Sequence, residues 1–159
     1  MPKLTHVDED GRLSMVDVGK KAVTRREASA GVTIHMARKT LQQLEKQALP
    51  KGDVLAAARI AGILAAKQTS SLIPLTHPLM ITHVDVSFEV DRKSSSLNLS
   101  ATVRCEGKTG VEIEAMTACA VAALTVYDMC KSIDRGMTID NLRLLRKSGG
   151  KSGTYLRAD

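Results

Sequence analysis

Asp128 and Lys131 stand three residues apart near the end of a long apolar run, Ala115 to Tyr127. On a helix that spacing puts a carboxylate and an ammonium on one face. In open solvent such a pair is a surface ion pair of little consequence. In a cleft the carboxylate can move a proton while the ammonium steadies developing negative charge. Because Tyr127-Asp-Met-Cys-Lys131 directly extends the apolar run, the sequence predicts that Asp128 is partly desolvated.

His77 is the second chemical residue, in the run Leu72-Ile-Pro-Leu-Thr-His-Pro-Leu-Met80. Pro74 and Pro78 fix their own φ, and Pro78 restricts His77 directly. An imidazole with apolar flanks and a stiff backbone suits a site histidine. It equally suits a buried histidine with one hydrogen-bond partner, and the segment alone leaves both open. Glu112 and Glu114 open the long helix. Thr109-x-x-Glu112 reads as a capping box, which accounts for Glu112 but not for Glu114. Lys51, Lys67, Lys147 and Lys151 each flank a turn or a helix end. Singly they read as solvated surface lysines; together they match the roughly four negative charges of a triphosphate.

Two tripeptides, Gly107-Lys-Thr109 and Gly150-Lys-Ser152, imitate the end of a P-loop. The glycine that should open the motif is replaced by Thr102 and by Leu145, so neither is a Walker cradle. A Gly/Lys loop and a helix N-terminus remain phosphate-compatible features.

Elements must position these residues. Residues 28 to 36 alternate, with Ala28, Ala30, Val32, Ile34 and Met36 on one face, as in a half-buried strand that leaves His35 on the polar face. A helix over 37–48 buries Leu41, Leu44 and Ala48 and ends before Pro50. A second helix, capped by Asp53, runs to about residue 71 with Val54, Ala57, Ala58, Ala61, Leu64 and Ala65 inward. Residues 82–90 and 97–105 form a hairpin. A helix over 111–134 and a strand over 138–146 follow. Lys147-Ser-Gly-Gly-Lys-Ser-Gly153 should be a mobile loop. This order predicts one α+β domain over residues 1–159, ferredoxin-like, with an antiparallel sheet and helices packed on one face.

A length of 159 residues with 43% hydrophobic and 25% charged residues fits one soluble domain. The net charge of +6 favours anionic partners. Phe88, Tyr127 and Tyr155 are the only aromatics, too few for base stacking, and the lysines are dispersed. Both facts weigh against nucleic acid. The polar start resembles no signal peptide, and the 13-residue apolar run is too short for a bilayer. The three cysteines form no framework, which fits reduced thiols and a cytoplasmic location. A basic RNA-binding domain and a non-catalytic interaction module are the competing classes.

Taken together the motifs resemble the MoaC family of cyclic pyranopterin monophosphate synthases. The resemblance rests on Met15-Val-Asp-Val18, Lys51-Gly-Asp-Val54, Ala58-Arg-Ile-Ala-Gly-Ile63, Leu72 to Leu79, Gly107-Lys-Thr-Gly-Val-Glu112, Tyr127 to Lys131 and Lys147 to Gly153. It implies conversion of 3′,8-cyclo-7,8-dihydroguanosine 5′-triphosphate to cyclic pyranopterin monophosphate with release of diphosphate, in molybdenum-cofactor biosynthesis. It implies no cofactor or metal, and a homohexamer (a trimer of dimers) with active sites at subunit interfaces. Asp128 and Lys131 are the implied catalytic pair. Leu75, Thr76, His77, Ile113, Glu114, Lys51, Lys67 and Lys147 are the implied pocket, joined by Glu112 and Lys151. Thr76 and Ile113 depart from the family's Cys or Ser and Met, which favours backbone roles there. With Asp128 and Lys131 available for proton transfer, His77 is assigned to positioning.

Overall fold

In the computed structural model, residues 6–8 and 10–158 are described. Five strands form one antiparallel sheet in the order β2-β3-β1-β4-β5. The elements are β1 (Thr24–His35), α1 (Arg38–Glu45), α2 (Val54–Leu72), β2 (Ile81–Asp91), β3 (Ser96–Gly107), α3 (Glu112–Cys130), β4 (Thr138–Ser148) and β5 (Tyr155–Leu156). The helices pack on the sheet, giving the ferredoxin-like α+β architecture.

β1 is central and pairs with β3 along its whole length, from Thr24 opposite Gly107 to His35 opposite Ser96. Its apolar face lies under the helices: Ala28, Ala30, Val32 and Ile34 are each at most 1% exposed. Its other face carries polar side chains that satisfy one another, with Ser29 Oγ 2.8 Å from Thr102 Oγ1 and Thr33 Oγ1 donating to Asn98 Oδ1 at 2.9 Å. His35 sits on this face beside Asp140, at 3.2 Å, in the structural role its alternation predicts.

α2 and α3 make the helical layer. The Asp53 carboxylate accepts from Ala56 N–H at 3.0 Å, the predicted cap. Gly62 lets the helices close: a Cβ there would lie 3.1 Å from both the Ala118 carbonyl oxygen and Val86 Cγ2. Ala115, Ala118, Ala122 and Ala123 of α3 are fully buried at this junction. α3 has the length and composition to cross a membrane, yet its buried alanines identify it as a core helix of the sheet.

The structure corrects several boundaries. α1 stops at Glu45, because Gln47 takes a left-handed φ of 52° that ends the helix before Ala48. Its N-terminus is capped from a distance by Asp134, whose carboxylate accepts from Ala37 N–H at 2.8 Å and Thr40 Oγ1 at 3.0 Å. Leu64, expected inward, is 52% exposed, because the buried stripe of α2 runs through Ala58, Gly62, Ala65, Ala66 and Thr69. α3 starts at Glu112 with Val111 at its N-cap, so the capping box does not form. Thr109 lies too far upstream, and the Glu112 carboxylate turns to Lys147 instead. The expected loop after residue 146 is the turn of a hairpin. β4 runs on to Ser148, and Tyr155–Leu156 returns as β5, pairing Lys147 with Tyr155.

Candidate active site

The loop from α2 to β2 carries His77. Thr76 closes a turn there, its hydroxyl donating to the Ile73 carbonyl at 2.8 Å. His77 is half-buried, and its Nε2 lies 2.7 Å from the Val16 carbonyl oxygen. Since a carbonyl only accepts, Nε2 carries the proton. Leu75, Thr76 and His77 form one wall of a cavity of about 410 Å³, and Glu112, Ile113 and Glu114 at the start of α3 form another.

Glu114 is the electrostatic outlier of this cavity, at only 4% exposure. Burial pushes its carboxyl up to about 7; its own backbone N–H opposes the shift and the Glu112 carboxylate adds to it. A carboxyl poised there is half-protonated near neutrality and can give or take a proton.

A second cavity of about 620 Å³ adjoins the first, and Lys21, Thr109, Gly110 and Glu112 line both. Its cations are Lys20, Lys21, Arg26, Lys108, Lys147 and Lys151. Lys147 Nζ lies 3.5 Å from Glu112 Oε1 and donates to Ser152 Oγ at 2.5 Å. The Arg26 guanidinium donates to the Gly149, Gly107 and Lys108 carbonyls at 3.3, 3.4 and 3.5 Å, tying the two glycine loops together. Gly149 and Gly150 have φ of 97° and 75°, and a Cβ on either would collide with Arg25 or Arg26. Both imitation P-loop tripeptides therefore line one anion-sized cavity, beside the N-terminus of α3.

Asp128 is elsewhere. It lies at the C-terminal end of α3, where Lys131 Nζ donates to Oδ1 at 2.5 Å and Lys51 Nζ sits 3.5 Å from Oδ2 and 3.1 Å from the Asp128 carbonyl oxygen. The hydrogen bond and charge of Lys131, then the charge of Lys51, hold its carboxyl below the usual range. The expected desolvation is absent within one chain: the Asp128 side chain is 58% exposed, because the apolar stripe of α3 ends at Val126 and Cys130 on the opposite side. Lys67 lies on the exposed side of α2 and lines neither cavity.

The residues thus fall into two groups. Leu75, Thr76, His77, Glu112, Ile113, Glu114, Lys147 and Lys151 meet at one end of α3. Lys51, Asp128 and Lys131 meet at the other. The model of the MoaC family matches residues 15–150. The chain belongs to the MoaC family. It is similar to a cyclic pyranopterin monophosphate synthase of Roseiflexus sp. (strain RS-1), 58% identical over 98% of this chain and 99% of that protein. A protein of the same name from Thermoanaerobacter pseudethanolicus (strain ATCC 33223 / 39E) is 54% identical over 97% of this chain and 98% of its own length. One from Heliobacterium modesticaldum (strain ATCC 51547 / Ice1) is 52% identical over the full length of both chains.

Sequence reasoning missed Lys20, Lys21 and Arg26 as cavity cations, and Val16 and Val18 as wall residues; Lys108 lies within the Gly107-Lys-Thr109 loop that the sequence marks as phosphate-compatible. The pairs Lys20-Lys21, ahead of β1, and Arg25-Arg26, at its start, were a usable signal, since the basic residues sit where a strand begins. The cysteines take no part: Cys105, Cys119 and Cys130 are buried and unpaired, and burial pushes the Cys119 thiol up to about 12.

Proposed function

We propose that this chain is a cyclic pyranopterin monophosphate synthase, acting on the cyclic dihydroguanosine triphosphate in an early step of molybdenum-cofactor biosynthesis. The observation that carries this reading is the junction of the two cavities. One is walled by His77, Ile113 and a buried Glu114; the other is cationic; and they share Lys21, Thr109, Gly110 and Glu112. A ligand with a neutral heterocycle joined to a polyphosphate has that shape and charge distribution. Membership of the MoaC family supports the same substrate class.

The reaction opens and recloses a purine-derived ring and ends with attack of a ribose oxygen on phosphorus. Asp128, kept ionised by Lys131 and Lys51, serves as the proton acceptor, and Lys131 supports the opposite transfer. The cations of the larger cavity hold the leaving diphosphate. Residues 147–153 close over it as a mobile lid.

Asp128 and Glu114 cannot reach one substrate within a single chain, as about 21 Å of helix separates them. The site is therefore completed by a second copy, whose Asp128, Lys131 and Lys51 face the cavities of the first. A two-fold pairing supplies this twice over, and a homohexamer built as a trimer of dimers repeats it. Exposed Ile60, Leu64 and Leu124 on the helical layer support such pairing. A cytoplasmic location and a small-molecule substrate, with neither nucleic acid nor membrane as partner, complete the reading.

The test is turnover of the cyclic dihydroguanosine triphosphate by the purified protein, with Asp128→Asn as control. Formation of pyranopterin and diphosphate by the wild type alone supports the proposal. No turnover by the wild type rejects it.

A further inference from the structure

The segment ahead of β1 is bound to the rest of the molecule in an unusual way. Residues 14–23 pair with no strand and form no helix. Met15 and Asp17 point outward, whereas Val16 and Val18 are half-buried. Neither valine belongs to the hydrophobic core among the described residues; both line the 410 Å³ cavity, across from Leu75, His77 and Glu114. Farther on, Lys21 reaches both cavities. Two side chains from the far sides of the cleft tie the segment down. His77 Nε2–H donates to the Val16 carbonyl at 2.7 Å, and Lys108 Nζ donates to the Gly19 carbonyl at 2.6 Å. Within the segment, Asp17 Oδ1 accepts from Gly19 N–H at 2.7 Å and the Val18 carbonyl accepts from Lys21 N–H at 3.0 Å.

We propose that residues 15–21 form a detachable wall of the substrate cleft, and that His77 is a positioning residue acting through it. The imidazole spends its one Nε2 proton on Val16. The substrate then meets Val16, Val18 and Lys21, placed by His77, as much as His77 itself. The prolines on either side of His77 gain a purpose, since they fix the point from which the wall hangs. Apolar Val16 and Val18 face the heterocycle, and Lys21 stands where heterocycle and polyphosphate meet. This rests on the substrate class proposed above, but the tie itself can be measured without substrate.

The experiment follows amide hydrogen exchange at Gly19 and Lys21 in the full-length wild type, His77→Ala and His77→Gln, with amides of β1 and β3 as the reference for intact folding. Loss of one neutral hydrogen bond should speed exchange at both amides about tenfold in His77→Ala. His77→Gln, whose amide N–H₂ reaches the position of Nε2, should restore most of the protection. In turnover, His77→Ala should raise KM several-fold with kcat within twofold. Val18→Ser, which leaves His77 intact, should also raise KM. Unchanged exchange at Gly19 and Lys21 in His77→Ala overturns the proposal, and so does a fall in kcat with KM unmoved. If the wild type does not turn over at all, the proposed function fails, while the exchange comparison still decides whether His77 holds the wall.

Discussion

Glu114 and Asp128 lie fourteen residues apart on α3, close to four turns, so they sit about 21 Å apart along one helix. One is buried with its carboxyl raised to about 7; the other is exposed with its carboxyl lowered. A single helix thus presents two carboxylates of opposite character, one at each end. A two-fold axis near its midpoint would bring the two kinds face to face.

That arrangement predicts complementation. Asp128→Asn and Glu114→Gln should each abolish or severely reduce turnover as pure proteins. In a mixed two-fold dimer one site collects both substitutions and the other collects neither. Co-refolding equal amounts should then recover roughly a quarter of wild-type activity for random two-fold pairing. Recovery of nothing, with mixed oligomers shown to form, would mean that both residues serve the same site from the same chain.

Glu114 should also govern part of the pH dependence of stability. Its folded-state pKa, about 7, lies above its ordinary value of 4.5. Below 4.5 both folded and unfolded states hold the proton and the group costs nothing. As pH rises from 4.5 to 7 the unfolded chain loses its proton first, so stability falls through that window. Glu114→Gln removes the effect. It should raise the melting temperature at pH 8 by several degrees and leave it nearly unchanged at pH 4, by thermal unfolding at both pH values.

Lys131 and Lys51 should set the acid limb of the pH–rate profile. Both hold the Asp128 carboxyl down, Lys131 more strongly. Removing either cation raises the pKa, so protonation sets in at higher pH. The acid limb of kcat/KM should move to higher pH in Lys51→Met, as measured from pH 4 to 8. A shift in the opposite direction would remove Asp128 from the role of base.

The fold was largely legible because its signals are periodic. β1, the hairpin and α2 were readable from alternation and from the Asp53 cap, and tertiary contacts agree with them. The errors fall where a local pattern had a distant competitor. Glu112 looked like a cap because Thr109 stands three residues before it, yet Lys147 takes its carboxylate. Gln47 gave no warning that it would turn left-handed. Of the expected site residues, eight gather at one end of α3, while Lys51, Asp128 and Lys131 lie at the other and Lys67 in neither group. The order of the chain already sets Glu114 at the start and Asp128 near the end of one helix; what went unread was that this separation, about 21 Å, keeps them from meeting in one chain. Residues 14–23 went unread as a wall because a segment without secondary structure has no period.

Lys151 should matter to binding more than an exposed loop lysine normally does. It lines the cationic cavity with Lys147, on the turn between β4 and β5. Lys151→Ala should raise KM and make it less sensitive to added salt, because one screened contact to the polyphosphate is lost. Steady-state kinetics from 50 to 500 mM salt, as approximate bounds for screening, would check this. Unchanged affinity and turnover would remove the lid role from residues 147–153.

The crowding of six cations around one cavity has a consequence for the resting protein. Among the described residues that line it, Glu112 is the one carboxylate beside Lys20, Lys21, Arg26, Lys108, Lys147 and Lys151, so the cavity carries a net positive charge. Arg26 is linked to three carbonyls, one of them that of Gly149 in the turn. A polyphosphate bound there would offset charge that Glu112 balances only in part. In that sense an anion bound at this cavity would serve as a counter-ion of the fold as well as a ligand.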